Sequence, residues 1–274
     1  MPKKLLLHAC CGPCSLEPTR LFAEEGWDVT IHYANSNIQP DAEYARRLAE
    51  LESWARAAGI PVIEDERDVD AWERAVAPAA ACQPEGASAR DRVKTAATVA
   101  ELLDDERRRE RCRACYRLRL AQTARAAAEG GFDAASTTLT VSPYQFSDVI
   151  HEELDRACAQ AGVQPLFRDF RPYYAAATQR SRALGMYRQD YCGCRFSIRE
   201  GQATRDFLRE RRRQRAAEKR ERSAGERAAE RDARAQRAAQ KRAWANERER
   251  RHSILKELRQ EQRRAASEKA QEQA

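Results

Sequence analysis

No apolar run in this 274-residue chain approaches the roughly 20 residues that a bilayer-spanning helix needs. Nor does the start look like a secretory signal: Met1 to Lys4 lead directly into the short run Leu5–Leu7, without a longer apolar stretch behind a basic one. These absences argue for a soluble, cytoplasmic protein whose thiols are kept reduced. A glycine-rich phosphate loop is also missing. The turn after the first apolar run holds cysteines and Pro13 instead, which argues against a nucleotide-activating enzyme such as a tRNA sulfur transferase. Beyond Gly201 there is no proline and one further glycine, Gly225. Past Leu208 the large apolar residues are Trp244, Ile254, Leu255 and Leu258, too few for a core or a sustained heptad seam.

Cysteine is what the chain has in quantity. Seven of nine cysteines fall in short-spaced groups: Cys10-Cys11-Gly12-Pro13-Cys14, Cys112-Arg113-Ala114-Cys115 and Cys192-Gly193-Cys194. In a reducing compartment such groups serve as ligands or reactive thiols rather than as a disulfide scaffold. Cys82 and Cys158 stand alone and read as structural.

Charge is unevenly divided. Residues 1–200 carry 27 Lys/Arg against 30 Asp/Glu, and the remainder carry 23 against 13, so the last quarter supplies the whole net charge of +7. The expected organisation is a folded body over residues 1–205 and a basic Arg/Ala/Glu-rich tail over residues 206–274. That tail favours helix at nearly every position and reads as a long, charge-laced helix that frays or is partly disordered. Basic arms of this kind meet nucleic acid, or simply stay solvated.

Within the body, strands are expected at Lys3–His8, Val29–Tyr33, Pro61–Glu64, Phe132–Thr140 and 164–168. Helices are expected at Ser15–Glu25, Asp41–Ala58, Trp72–Ala80, Glu101–Glu129 and 147–161, with residues 169–197 irregular in part. Alternation of this kind predicts an α/β fold with a parallel sheet flanked by helices. In such sheets ligands gather beyond the carboxyl ends of the strands, where the first cysteine turn lies.

Spacing i,i+3 puts Cys112 and Cys115 on one helix face. That pair suits an iron–sulfur cluster or a structural zinc equally. The adjacent pair Cys10-Cys11 is less typical of zinc ribbons, and Gly12-Pro13 supplies the sharp turn that would aim both at one centre. Cys192-Gly193-Cys194 reads either as a dithiol able to close a strained, labile disulfide or as two further metal ligands. Cys11-Gly12-Pro13-Cys14 also matches the thioredoxin tetrapeptide, but only locally; the chain is too long and the other cysteines would have no use.

Six segments in order carry a wider likeness: LLLHACCGPCS (5–15), NSNIQPDAEYARR (35–47), RCRACYRLRL (111–120), FDAASTTLTVSP (132–143), DFRP (169–172) and YRQDYCGCRFS (187–197). With these, residues 4–198 resemble the epoxyqueuosine reductases of the QueH type. The resemblance implies a Rossmann-like layer similar to the adenine-nucleotide alpha hydrolases. It implies reduction of epoxyqueuosine to queuosine at the wobble position of tRNA anticodons, without cobalamin, as the last step of queuosine biosynthesis. It further implies a [4Fe-4S] cluster on Cys10, Cys11, Cys112 and Cys115, a redox-active disulfide from Cys192 and Cys194, a tRNA partner and an unidentified electron donor. An additional mononuclear iron would find its candidate ligand in Cys14, with Asp169 a weaker one. His8, Asp190 and Tyr191 are candidate proton donors. Arg117, Arg119, Arg171, Arg188 and Arg195 are candidate phosphate contacts, with Tyr173 and Tyr191 as stacking platforms. Three departures stand out: residues 81–103 look inserted, Tyr144-Gln145 replaces an expected basic pair, and the charged tail lies outside the likeness. The competing reading is a zinc-stabilised tRNA-binding module without catalysis. It would close Cys10, Cys11, Cys112 and Cys115 around zinc and leave the Cys192/Cys194 dithiol without a purpose.

Overall fold

The computed structural model describes residues 2–80, 99 and 106–272. Most of the expected insertion, residues 81–103, lies outside the described residues. The chain divides into two compact units, Met1–Leu208 and Arg209–Ala274.

In the first unit a five-stranded, all-parallel sheet is built from β1 (Lys4–His8), β2 (Asp28–Tyr33), β3 (Val62–Glu64), β4 (Ala134–Thr137) and β5 (Gln164–Pro165), in the order β3-β2-β1-β4-β5. Helices α1 (Gly12–Glu24), α2 (Asp41–Ala57), α3 (Val69–Ala80), α4 (Glu106–Glu129), α5 (Ser147–Ala161) and α6 (Tyr174–Ala183) flank it, and α7 begins at Arg195. This is the predicted α/β layer. The winding reverses at the central strand, since β1 pairs with β2 on one side and β4 on the other. A crevice therefore opens beyond the carboxyl ends of β1 and β4, the usual ligand position in such sheets.

Period-two alternation explains why β1 sits at the centre. Leu5 and Leu7 face one layer with Phe22, Val29, Phe170 and Ala177, while Leu6 faces the other with Tyr116, Leu120, Ala124 and Leu154. All three leucines are fully buried. A third cluster joins Ile31 and Tyr33 to Tyr44, Leu51 and Ala55 of α2.

Several elements differ from the sequence expectation, and three of the differences have a local cause. Helix α1 starts at Gly12 rather than Ser15, because Cys11 itself holds the extended N-cap conformation and Pro13 fits the first turn. Strand β4 ends at Thr137. The Thr138 N–H makes its last bond to the His8 carbonyl, and the Thr137 hydroxyl then accepts the Leu139 N–H and turns the chain into a 3-10 helix, Leu139–Val141. Helix α6 occupies a stretch expected to be partly irregular. Its buried residues are Ala177 and Ser181, so it shows no apolar stripe in the sequence.

The described residues of the second unit are helical. Helix α7 is assigned from Arg195 to Glu272 and supplies it. As the sequence suggested, the unit buries no large apolar side chain: Trp244, Ile254, Leu255 and Leu258 are all exposed.

Candidate functional site

The site grows from the carboxyl end of β1. Strand pairing carries the chain through His8, Ala9 bonds the His32 carbonyl, and the chain turns through Cys10 and Cys11 into α1. Cys10 and Cys11 sulfurs lie 3.9 Å apart. With Cys14, one helical turn on, they form a group whose ligand atoms all fall within 4.8 Å of one another. Three thiols this close are suited to hold a metal ion. Hydrogen bonds from the Cys10 and Cys14 thiols, the charge of Arg47 and the Cys14 backbone hold Cys11 well below its ordinary pKa. Sharing that sulfur's charge pushes Cys10 and Cys14 up instead. Gln189 also donates its amide Nε2 to Cys11 Sγ at 2.8 Å.

Helix α4 supplies the second pair. Its inward face carries Cys112, Cys115, Tyr116, Arg119 and Thr123, the spacing of successive turns. Burial pushes Cys112 up to about 12 and raises Cys115, so neither thiol ionises readily without a cationic partner or metal. The indole N–H of Trp72, from α3, donates to Cys115 Sγ at 3.2 Å in a fully buried contact. Arg119 is completely buried. Its Nε bonds the Ala34 carbonyl at 3.2 Å and Nη2 bonds Asn35 Oδ1, while Nη1 makes no geometric hydrogen bond. Burial alone would lower its pKa, yet Cys115, Cys10 and Cys192 hold it above the ordinary arginine value. This buried cation would offset charge on Cys115, Cys10 and Cys192, thiols from three separate segments, whenever they ionise.

The third group is positioned from outside by Arg47 of α2, whose side chain is entirely buried. Its Nη1 donates to the Cys192 carbonyl at 2.9 Å, Nη2 to the Tyr191 carbonyl at 3.2 Å, and Nε to Glu43 at 2.6 Å. Gly193 has φ +136°, a region that L side chains rarely adopt. A Cβ there would stand 2.9 Å from Ile38 Cγ1 and 3.3 Å from Arg47 Nη1. The Gly193 carbonyl accepts the Gln39 N–H, and Ser197 ties both the Gly193 N–H and the Cys194 carbonyl. Cys192 and Cys194 are free thiols, both raised by burial.

Two cavities join these groups. A small one of about 10 Å³ is bordered by Cys112, Cys115, Cys192 and Cys194. A larger one of about 290 Å³ is lined by Cys10, Cys14, Cys192, Arg188, Tyr144 and Tyr174, among others. Cys192 borders both, so the dithiol stands between the helix pair and the open cavity.

The other sequence candidates divide. Asp190, Tyr191 and Arg188 line the larger cavity. The Tyr191 hydroxyl is committed to the Gln39 carbonyl at 2.7 Å, and Asp190 pairs with Arg205. His8 is buried with both ring nitrogens engaged, Nδ1 with Thr137 Oγ1 at 2.9 Å and Nε2 with the Ala34 carbonyl at 3.3 Å, so it holds strands together. Arg119 cannot meet an RNA phosphate because it is inside the protein. Arg117 and Arg195 are paired with Glu153 and Glu73, and both Asp169 oxygens are engaged by Arg171. Sequence reasoning missed Trp72, Gln189 and Arg47 as partners of the cysteine segments. It also misread Arg119, which the i,i+4 spacing from Cys115 would have placed on the cysteine face.

A parallel α/β sheet with a multi-thiol, arginine-balanced centre at its switch point defines the class: a protein built for metal or redox chemistry beside a ligand cavity. Comparison with known proteins places it further. The family model described as Epoxyqueuosine reductase QueH matches residues 5–100 and 87–200. Curated relatives of that name include one from Dehalococcoides mccartyi, 28% identical over 197 residues that cover 72% of this chain and 93% of the relative. One from Histophilus somni is 31% identical over 201 residues, 72% of this chain and 73% of the relative. One from Thermotoga maritima is 29% identical over 201 residues, 72% and 91% respectively. The chain belongs to the epoxyqueuosine reductase QueH family.

Proposed function

We propose that this protein reduces epoxyqueuosine to queuosine in tRNA, with Cys10, Cys11, Cys112 and Cys115 holding a [4Fe-4S] cluster and Cys192/Cys194 acting as the redox-active pair. The observation that carries the reading is that Cys10, Cys115 and Cys192, one from each of the three cysteine groups, all act on the buried Arg119, beside a cavity large enough for a modified base. The donor set fits such a cluster. It offers only sulfur, it comes from a loop and a helix as cluster ligands commonly do, and Arg119 and Arg47 offset the charge that burial would otherwise keep off the thiols. Helix α1 adds Cys14 beside Cys10 and Cys11, a thiol available to an additional iron.

When bound, the cluster supplies one-electron transfer and a Lewis-acidic iron. The chain's own residues do the rest. Cys192 and Cys194 as a dithiol carry two electrons and two protons; their oxidation to a disulfide balances loss of the epoxide oxygen as water and formation of the alkene. An external electron donor then returns the disulfide to the dithiol. Arg47 and Gly193 hold the pair at the cavity rim, and Tyr144 and Tyr174, in edge contact at 6.2 Å, offer aromatic walls for a base. The reductase body takes residues 1–205 and residues 206–274 form an appended basic arm. No described helix is long and apolar enough to cross a membrane, and the reaction belongs in the cytoplasm, where tRNA and reduced thiols coexist.

The test is anaerobic purification, iron and sulfide analysis, and incubation with tRNA carrying epoxyqueuosine and a chemical reductant. Iron with sulfide, and conversion lost in Cys192→Ser, support the reading. Stoichiometric zinc with no conversion would replace it with the RNA-binding module.

A further inference from the structure

The reductase reading assigns nothing to the second unit, and the family match ends at residue 200. The Dehalococcoides relative, 93% of which is covered by the alignment, shows that a family member can be built with little beyond the matched body. The arm has to be explained from its own residues.

Its charge is not evenly laced. Among the described residues of the second unit, the ion pairs Arg213–Glu210, Arg222–Glu226 and Arg251–Glu247 lie to either side of residues 233–246. Between Ala233 and Asn246 there is no acidic residue, while Arg234, Arg237, Lys241 and Arg242 are present. Steps of three, four and seven residues place Arg234, Arg237, Lys241 and Arg248 on one face, and Trp244 falls three residues after Lys241 on the same side. All five side chains are exposed, Trp244 by 67%. The Arg248 guanidinium lies 5.8 Å from the Trp244 ring centroid. From Arg234 to Asn246 most positions between the basic residues are alanine or glutamine, and Glu247, just before Arg248, is paired with Arg251. At 1.5 Å per residue the four cations span about 21 Å, enough to follow several consecutive phosphates of one strand.

We infer that this face is an RNA-docking surface: Arg234, Arg237, Lys241 and Arg248 contact the phosphate backbone without reading sequence, and Trp244 stacks on an unpaired base. A polyanion is the partner that matches an acid-free row of cations. A second copy of the chain would bring an identical positive row against it, and the flanking apolar residues alone are too few to offset that repulsion. An exposed tryptophan among arginines is the combination that single-stranded nucleic acid uses for stacking and charge together.

The experiment uses the full chain and an unmodified tRNA transcript, so it does not depend on turnover or on the cluster. Binding is measured across a potassium chloride series for wild type, for the Arg234→Gln/Arg237→Gln/Lys241→Gln/Arg248→Gln variant, and for Trp244→Ala. Glutamine keeps helix propensity, and circular dichroism verifies that the helix is retained. Losing four phosphate contacts should flatten the slope of log affinity against log salt by about three. It should also weaken binding at least tenfold at low salt. Trp244→Ala should weaken binding about fivefold or more and leave the slope unchanged. An unchanged slope and affinity in the fourfold variant would overturn the proposal. So would a wild-type dimer in sedimentation that Leu255→Glu disrupts while tRNA binding stays constant. If the transcript binds as described but epoxyqueuosine is not reduced, the reductase reading fails and the docking surface stands.

Discussion

Replacing Arg47 by lysine separates the charge of this residue from its geometry. Arginine reaches two carbonyls and one carboxylate at once, from three nitrogens in a fixed plane. A lysine ammonium carries the same charge on one atom and cannot span all three sites. Glu43 retains a partner, because the Tyr187 hydroxyl also donates to it at 2.9 Å, so the loss falls on the carbonyls of Tyr191 and Cys192. Each is a hydrogen bond to a charged group, and together they are worth about 3 kcal/mol of local stability. If Cys192 becomes accessible through opening of this segment, a loss of that size raises its labelling rate by roughly 10²-fold. The assay is thiol alkylation of the metal-free protein with mass-spectrometric localisation, and Cys158, buried against α5 neighbours, serves as the internal control. Faster labelling of Cys192 and Cys194 with Cys158 unchanged is the expected result. Equal rates for Cys192 in a variant that remains folded would refute the positioning role of Arg47.

Gly193→Ala should cost about 3 kcal/mol, from a positive φ unsuited to alanine and a Cβ pressed on Ile38, lowering Tm by roughly 5–10 °C; a shift under a degree would show that the segment adapts freely. Trp72→Phe keeps the buried ring but removes the N–H donor to Cys115, so the reduction potential of the bound cluster should become more negative at equal iron content. An unchanged potential would deny the bond any role. His32 is buried, and desolvation pushes it below its ordinary value of 6.5 although Asp65 opposes the shift. Its folded-state pKa lies below the unfolded one, so its contribution is full above pH 6.5 and fades as pH falls below that. The fall in Tm between about pH 7.5 and 5.5 should therefore shrink in His32→Gln; an identical fall would place the titration elsewhere.

The sheet was legible because Leu5–Leu7 and Val29–Tyr33 are apolar, short and followed by turns, and because each precedes an amphipathic helix. The cysteine groups were legible from spacing alone. What spacing could not convey was partnership across the fold. Arg47 and Cys192 are far apart in sequence, and nothing distinguishes Arg47 from Arg46 until α2 is packed: Arg47 points inward to Cys192, while Arg46 stacks on the Tyr187 ring at 3.5 Å. In the sequence Arg119 is a candidate phosphate contact because it flanks the Cys112/Cys115 motif, and nothing local marks it as buried, since arginine is usually exposed. Its burial follows from a face shared with Cys112 and Cys115, where Asn35 and the Ala34 carbonyl wait to receive it. Helix α6 escaped notice because alanine and serine line its inner face. The same sparing use of apolar residues made the arm legible as helix but silent about its partner.

The proposed chemistry is removal of one oxygen from a modified base in tRNA by the cysteine groups beside Arg119. The most direct measurement is nucleoside mass spectrometry of tRNA carrying epoxyqueuosine after incubation with anaerobically purified, iron-loaded protein and a chemical reductant. Loss of one oxygen to give queuosine, abolished in Cys192→Ser and Cys194→Ser, is the expected result. Iron-loaded wild-type protein that leaves the nucleoside intact would rule out the proposed reduction.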